Sequence, residues 1–322
     1  MTNTTEARIE TSTVCNYRCN FCPHGLGLFK RKQEVMSQDL FEFIVNKIKI
    51  EAPQITDITI SGFGEAFTDK NIDRKMLYAK QMGYNIHILT NGSLLDNEML
   101  DFILKSIKPL DLRFSLHTIN PATYSKMTGS TYSDYHTVIN NINYAIRETE
   151  NTRIIITAVI IDANKEEWHQ LVKEYKDKID LVEVWKPHNW LDILHYRQCE
   201  KTKKTCGRPF NGPLQIQVDG TVNMCCFDIN NQLLLGDLKE QNLEEIFSSE
   251  PYISIRKHHQ EGTIMQSDLP CKFCDQLCDY KEAVVFNSKF SPDVRLNKTS
   301  TRYDNLLGAQ NDKNINRHSK HF

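Results

Sequence analysis

The chain has 322 residues, with 39 Lys and Arg against 41 Asp and Glu and a formal net charge of −2. That balance leaves no basic footprint for nucleic acid, and the length exceeds what one core usually fills, so a large domain beside a smaller one is expected. The opening MTNTTEARIETST has no apolar export segment, and the longest apolar run, IIITAVII at 154–161, is strand-length. The expectation is a soluble cytoplasmic protein with no membrane partner, whose ten cysteines serve metal rather than disulfide staples.

In chain order, a β-like run at 8–14 leads directly into TVCNYRCNFCPHG at 13–25, which holds Cys15, Cys19 and Cys22. Leu40, Ile44 and Ile48 then form a helical stripe, as do Met99, Ile103 and Ile107, and Val138, Ile142 and Ile146. Between and after them come strand-like segments at 57–61, 84–90, 111–117, 153–161 and 180–186, rich in β-branched residues. Six βα units in succession predict a parallel sheet with right-handed crossovers, curled into a whole or partial barrel. Chemistry in such sheets gathers at the C-terminal strand ends, where the cysteine loop falls.

After residue 187 the alternation stops. LQIQVDGTVNMCC at 214–226 reads as a hairpin turning at Asp219 and Gly220, a short helix is expected near 242–249, and CKFCDQLC follows at 271–278. Cys199, Cys206, Cys225, Cys226, Cys271, Cys274 and Cys278 all lie here. The expected division is 1–187, 188–285 and a flexible polar tail at 286–322.

On spacing alone, Cys15, Cys19 and Cys22 could close a zinc site with His24, or hold a four-iron cluster by three thiolates and leave one iron open. Cys-x3-Cys-x2-Cys, with Phe21 just before the third Cys, resembles the signature of the radical SAM superfamily, in which the open iron chelates the amino and carboxylate groups of S-adenosylmethionine. SGFGEAF at 61–67 resembles the Gly-Gly-Glu motif of that family, with Phe63 in place of the second Gly. The resemblance implies cofactor contacts from Phe21, Gly62, Gly64, Glu65, Thr90, Asn91 and Ser115. Taken singly, these are also ordinary turn and loop-start residues, and His117 reads as structural.

The later cysteines resemble the Twitch half of the SPASM/Twitch extension, which implies one auxiliary [4Fe–4S] cluster on Cys206, Cys225, Cys271 and Cys274 and thus two clusters per chain. The full SPASM pattern asks for cysteines near 280 and 284, where Tyr280 and Val284 stand. Cys199, Cys226 and Cys278 remain alternative ligands, and a zinc ribbon is the rival reading. The fold implied is a partial (β/α)6 barrel with a C-terminal Twitch/SPASM-like iron–sulfur domain. The chemistry implied is reductive cleavage of S-adenosylmethionine, hydrogen abstraction from a substrate, and an external electron donor such as flavodoxin or ferredoxin. A one-auxiliary-cluster layout resembles the aminocyclitol dehydrogenases of the superfamily, which suggests two-electron oxidation of a small polar alcohol. Lys186, His188, Trp190 and Arg208 are candidates for the substrate face, with His or Lys as base. Peptide modification, epimerisation and a non-enzymatic redox module are the alternatives. Only seven residues precede the first strand, where many peptide-modifying members carry a leader-binding domain, and this favours the small molecule.

Overall fold

The computed structural model describes residues 4–191, 193–196, 199, 201–279, 283–287 and 299–300. Six strands, β1 (Glu6–Ile9), β2 (Asp57–Ile60), β3 (Asn85–Thr90), β4 (Asp111–Ser115), β5 (Arg153–Val159) and β6 (Leu181–Trp185), pair in parallel in sequence order. The crossovers carry α1 (Gln38–Glu51), α2 (Ile72–Gln81), α3 (Asn97–Asp101), the pair α4 (Pro121–Thr128) and α5 (Tyr132–Glu148), and α6 (Trp168–Tyr175). A π turn over Phe102–Ile107 continues α3, so the stripe read there as a plain α-helix widens in its last turn.

The strands present two unlike faces. Ile9, Ile60, Ile88 and Leu112 lie in one lateral row and Phe114, Ile156 and Val182 in the next, all fully buried. They share a core with the helical stripes of Ile44, Ile48, Ile103, Ile107, Val138 and Ile142. Each such side chain contributes about 1.5–3 kcal/mol by leaving water. The opposite face is polar. Its rows run Arg8, Thr59, His87, Asp111, Arg153 and then Ser115, Thr157, Glu183. Asp111 accepts from His87, Arg113 and Arg153, and Arg113 reaches Glu183 at 3.1 Å. Burial pushes the Asp111 carboxyl up, but these cations hold it well below the ordinary carboxylate range.

The C-terminal part comprises α7 (Arg208–Asn211), β7 (Leu214–Ile216), β8 (Thr221–Asn223), β9 (Leu234–Asp237), α8 (Leu243–Phe247), α9 (Glu250–Glu261), β10 (Ala283–Asn287) and β11 (Thr299–Ser300). The expected hairpin is β7–β8, with Gly220 at φ +87° in its turn. Its second arm stops at Asn223, so Cys225 falls in the following loop rather than in the strand. β7 pairs in parallel with β1, and β10 pairs antiparallel with β6. The eleven strands among the described residues form one sheet in the order β11-β10-β6-β5-β4-β3-β2-β1-β7-β8-β9. The barrel is therefore partial: β1 and β6 are not neighbours, and each barrel edge is covered by a strand from the C-terminal part. Of the expected tail, all but Phe286, Asn287, Thr299 and Ser300 lies outside the described residues. No helix among the described residues is long and apolar enough to cross a membrane.

Candidate active site and metal centres

Polar loops leave the C-terminal ends of the parallel strands. After β1, Glu10 is 5% exposed and anchors three loops: it takes a bidentate pair from Arg31, and it accepts from Phe63 N–H at 2.9 Å and Val218 N–H at 3.3 Å. A Cβ on Gly62 would stand 2.4 Å from Glu10 Cγ, and one on Gly64 would stand 2.3 Å from the Ser12 carbonyl oxygen. Both glycines thus let the β2 loop close on the cysteine loop.

Cys15, Cys19 and Cys22 share that cysteine loop and are half-buried. The loop is tied to the end of α4 by Arg18 N–H to Thr128 O and Asn20 N–H to Met127 O. Burial, and then the charges of Cys22 and Cys15, push the Cys19 thiol well above its ordinary range, and burial takes Cys22 up to about 11. Three thiols on one short loop, with Cys15 and Cys22 raising Cys19 and Cys15 raising Cys22, are stabilised as thiolates by a cationic partner, which an iron–sulfur cluster supplies, so the donor set fits such a group. His24 stacks on Phe29 at 4.3 Å, and burial lowers its pKa to about 4.

Glu65 is 4% exposed and its carboxylate is fully used: Oε1 accepts from Thr90 Oγ1 at 2.7 Å and Phe67 N–H at 3.3 Å, and Oε2 from Asn91 N–H at 2.7 Å. Burial raises its carboxyl above the ordinary range in spite of these bonds. Asn91 donates in turn to Asn16 in the cysteine loop. Glu65, Thr90 and Asn91 therefore brace the loops after β1, β2 and β3, while Ser115, half-buried at the end of β4, makes no side-chain hydrogen bond among the described residues. Phe21 meets the edge of His117 at 4.8 Å. Val159 N–H donates to His117 Nδ1, and burial lowers this imidazole to about 4.

In the C-terminal part Cys206, Cys225, Cys271 and Cys274 line one cavity. Burial, with Cys206 nearby, pushes Cys271 up to about 12, and Cys274 rises through burial and the charge of Asp275, followed by Cys206 and Cys271. The other walls are Leu191, Pro209, Met224, Leu233 and Leu277, with Arg208, Gln276 and His259 as the remaining polar residues. Four thiols around an otherwise largely apolar cavity fit a closed cluster. Cys226 is not among the lining residues; the interaction of the two neighbouring thiols lowers Cys226 and raises Cys225. Cys199 and Cys278 correct the expectation that all ten cysteines serve metal: they are joined to each other as a disulfide, Cα to Cα 5.3 Å, which takes both out of the set of alternative ligands.

Between the two cysteine groups runs the segment that leaves β6. Lys186, 1% exposed, pairs with Asp275 at 2.5 Å and lies 3.4 Å from His188 Nδ1. Asn189 exchanges hydrogen bonds with Phe273 O and Asp275 N–H, and Trp190 Nε1 donates to Phe21 O at 3.4 Å. Rings connect the groups as well: Phe29 to Phe63, Phe63 to Trp190, and Trp190 and His188 to Phe227, over which Arg208 stacks at 4.7 Å. The sequence reading missed Glu10, Asp275, Phe227 and the polar strand face. Charged residues at alternate positions of buried strands, as in EARI and DLRFS, were the available signal for that face.

The radical SAM superfamily model matches residues 9–175, and a model of the SPASM iron–sulfur cluster-binding domain matches residues 206–279. The chain belongs to the radical SAM superfamily and carries a SPASM domain, which together imply S-adenosylmethionine and [4Fe–4S] clusters. Members act on their substrates with an external reductant. The S-adenosyl-L-methionine-dependent 2-deoxy-scyllo-inosamine dehydrogenase of Niallia circulans is 23% identical over 271 residues, covering 84% of this chain and 92% of its own. The structure is similar to that of BtrN in complex with AdoMet and 2-DOIA, at a TM-score of 0.58 and 19% identity over 84% of this chain and 93% of that one. It is also similar to Streptococcus suis SuiB bound to precursor peptide SuiA, at a TM-score of 0.66 and 17% identity over 86% of this chain and 71% of that one. Of three further curated relatives that it matches, the chain spans 43% to 62% of their length.

Proposed function

We propose that the protein removes a hydrogen atom from a small polar alcohol, a sugar or aminocyclitol, and oxidises it by two electrons. The observation that carries this reading is the polar inner face: Arg113, Glu183 and Trp185, the last donating from Nε1 to Glu183 at 3.1 Å, with Ser115 and Thr157 alongside. Hydroxyl and amino groups find donors and acceptors there, while the ring C–H faces of such a molecule pack on the aromatic rim of Phe63, Trp190 and Phe227.

Cys15, Cys19 and Cys22 would hold a cluster that, with S-adenosylmethionine, would supply radical hydrogen abstraction, and Cys206, Cys225, Cys271 and Cys274 would hold one that would supply an electron acceptor. The chain's own residues do the rest. Phe21 and Ser115 contact the nucleoside, and the backbone at Gly62–Gly64 receives the methionine amino group on a frame that Glu65, Thr90 and Asn91 hold rigid. The rim excludes water. Lys186, committed to Asp275, and Arg208, stacked on Phe227, set the charge around His188, and the His188 imidazole takes the hydroxyl proton. A flavodoxin or ferredoxin serves as external donor.

The test supplies the reconstituted protein with S-adenosylmethionine and dithionite, together with cyclitols and sugars in one set and peptides in another. Release of 5′-deoxyadenosine stimulated by a polyol, with a carbonyl product, is expected. Stimulation by peptides alone would replace this reading with a peptide-modifying one.

A further inference from the structure

We propose that His259 donates a hydrogen bond from Nε2–H to the auxiliary cluster and raises its reduction potential, with Thr205 as the positioning residue that fixes the donor. The inference rests on the proposed closed cluster at Cys206, Cys225, Cys271 and Cys274.

His259 sits on α9, is 1% exposed, and lines the same cavity as the four thiols. Its Nδ1 lies 2.8 Å from Thr205 Oγ1, one residue before Cys206. That hydroxyl already accepts the Gly207 N–H at 3.0 Å and has no other hydrogen-bond acceptor among the described residues. Its hydrogen therefore goes to Nδ1, which makes Nδ1 the acceptor and leaves the ring hydrogen on Nε2. Nε2 is buried and has no hydrogen-bond partner among the described residues. An orphaned buried donor is rare and costly, so its presence in a cavity walled by thiols points to an acceptor that completes it. Gln276, another polar residue of the lining, already donates to Asp275 Oδ1 at 3.2 Å. Hydrogen bonds to cluster sulfurs favour the more electron-rich reduced state and so raise the potential, as an acceptor of a substrate electron requires.

The full chain carrying both clusters is titrated with reductant and followed by EPR. The auxiliary signal is identified as the one that S-adenosylmethionine leaves unchanged. His259→Phe is expected to keep the iron content and move the auxiliary potential downward by about tenfold in the redox equilibrium, about 59 mV for one electron. Thr205→Val should move it the same way, because Nδ1 loses its donor, and Thr205→Ser should return it to the parent value. An unchanged potential in His259→Phe at full iron content would overturn the donor role, as would a pulsed-EPR nitrogen coupling that shows direct ligation by His259. A parent chain that binds a single cluster would overturn the underlying reading as well, and the iron count separates that failure from the first two.

Discussion

Glu65 and Ser115 stand close together in the family resemblance yet do different work. Glu65→Ala removes the acceptor of Thr90, Asn91 and Phe67 together. Each stranded buried donor costs about 1–3 kcal/mol, so a large loss in the denaturation midpoint is expected, with S-adenosylmethionine binding weakened through the distorted loops. Ser115→Ala leaves no donor stranded; stability should stay within about 0.5 kcal/mol while cofactor affinity falls, as calorimetry would show. His117 gives a pH signature. Burial holds it at about 4 against an ordinary 6.5, so the unfolded chain takes the proton first. Its contribution to stability is complete above pH 6.5 and is lost as pH falls toward 4, at about 1.4 kcal/mol per unit of displacement. Urea unfolding at pH 7.5 and 5.5 should show a smaller drop in His117→Gln than in the parent; equal drops would remove the assignment.

At the level of elements, the sequence reading found all six barrel strands, because β-branched runs between polar breaks are a local signal, but it carried β1 on to residue 14, whereas it ends at Ile9. From Glu10 onward the backbone and side chains serve loop contacts that lie about 20 to 200 residues away, and no local pattern reports them. The same limit hid β10: AVVFN becomes a strand through pairing with β6. The Cys-x3-Cys-x2-Cys and Cys-x2-Cys spacings were legible because they are local, whereas the gathering of Cys206, Cys225, Cys271 and Cys274 around one cavity is a product of the fold. The strut between Lys186 and Asp275, 89 residues apart, was not legible. Breaking that buried pair leaves an uncompensated charge, so Lys186→Met should cost about 3–5 kcal/mol, and Lys186→Met with Asp275→Leu should recover most of it. A double-mutant cycle on denaturation midpoints measures this; a double variant as unstable as the single would show that the pair does not act as a unit.

Across the whole molecule, one sheet runs through both parts of the chain, and the segment from Lys186 to Trp190 is hydrogen-bonded to Phe21 in one cysteine loop and to Phe273 in the other. In the proposed function a hydrogen atom leaves a substrate carbon at one group while the remaining electron leaves through the other. The most direct measurement takes a polyol that stimulates turnover, deuterates it at the carbon to be attacked, and weighs both products. The account predicts one deuterium in 5′-deoxyadenosine for each molecule of ketone formed, with S-adenosylmethionine consumed one for one. A product of unchanged mass, or 5′-deoxyadenosine free of deuterium, would contradict it.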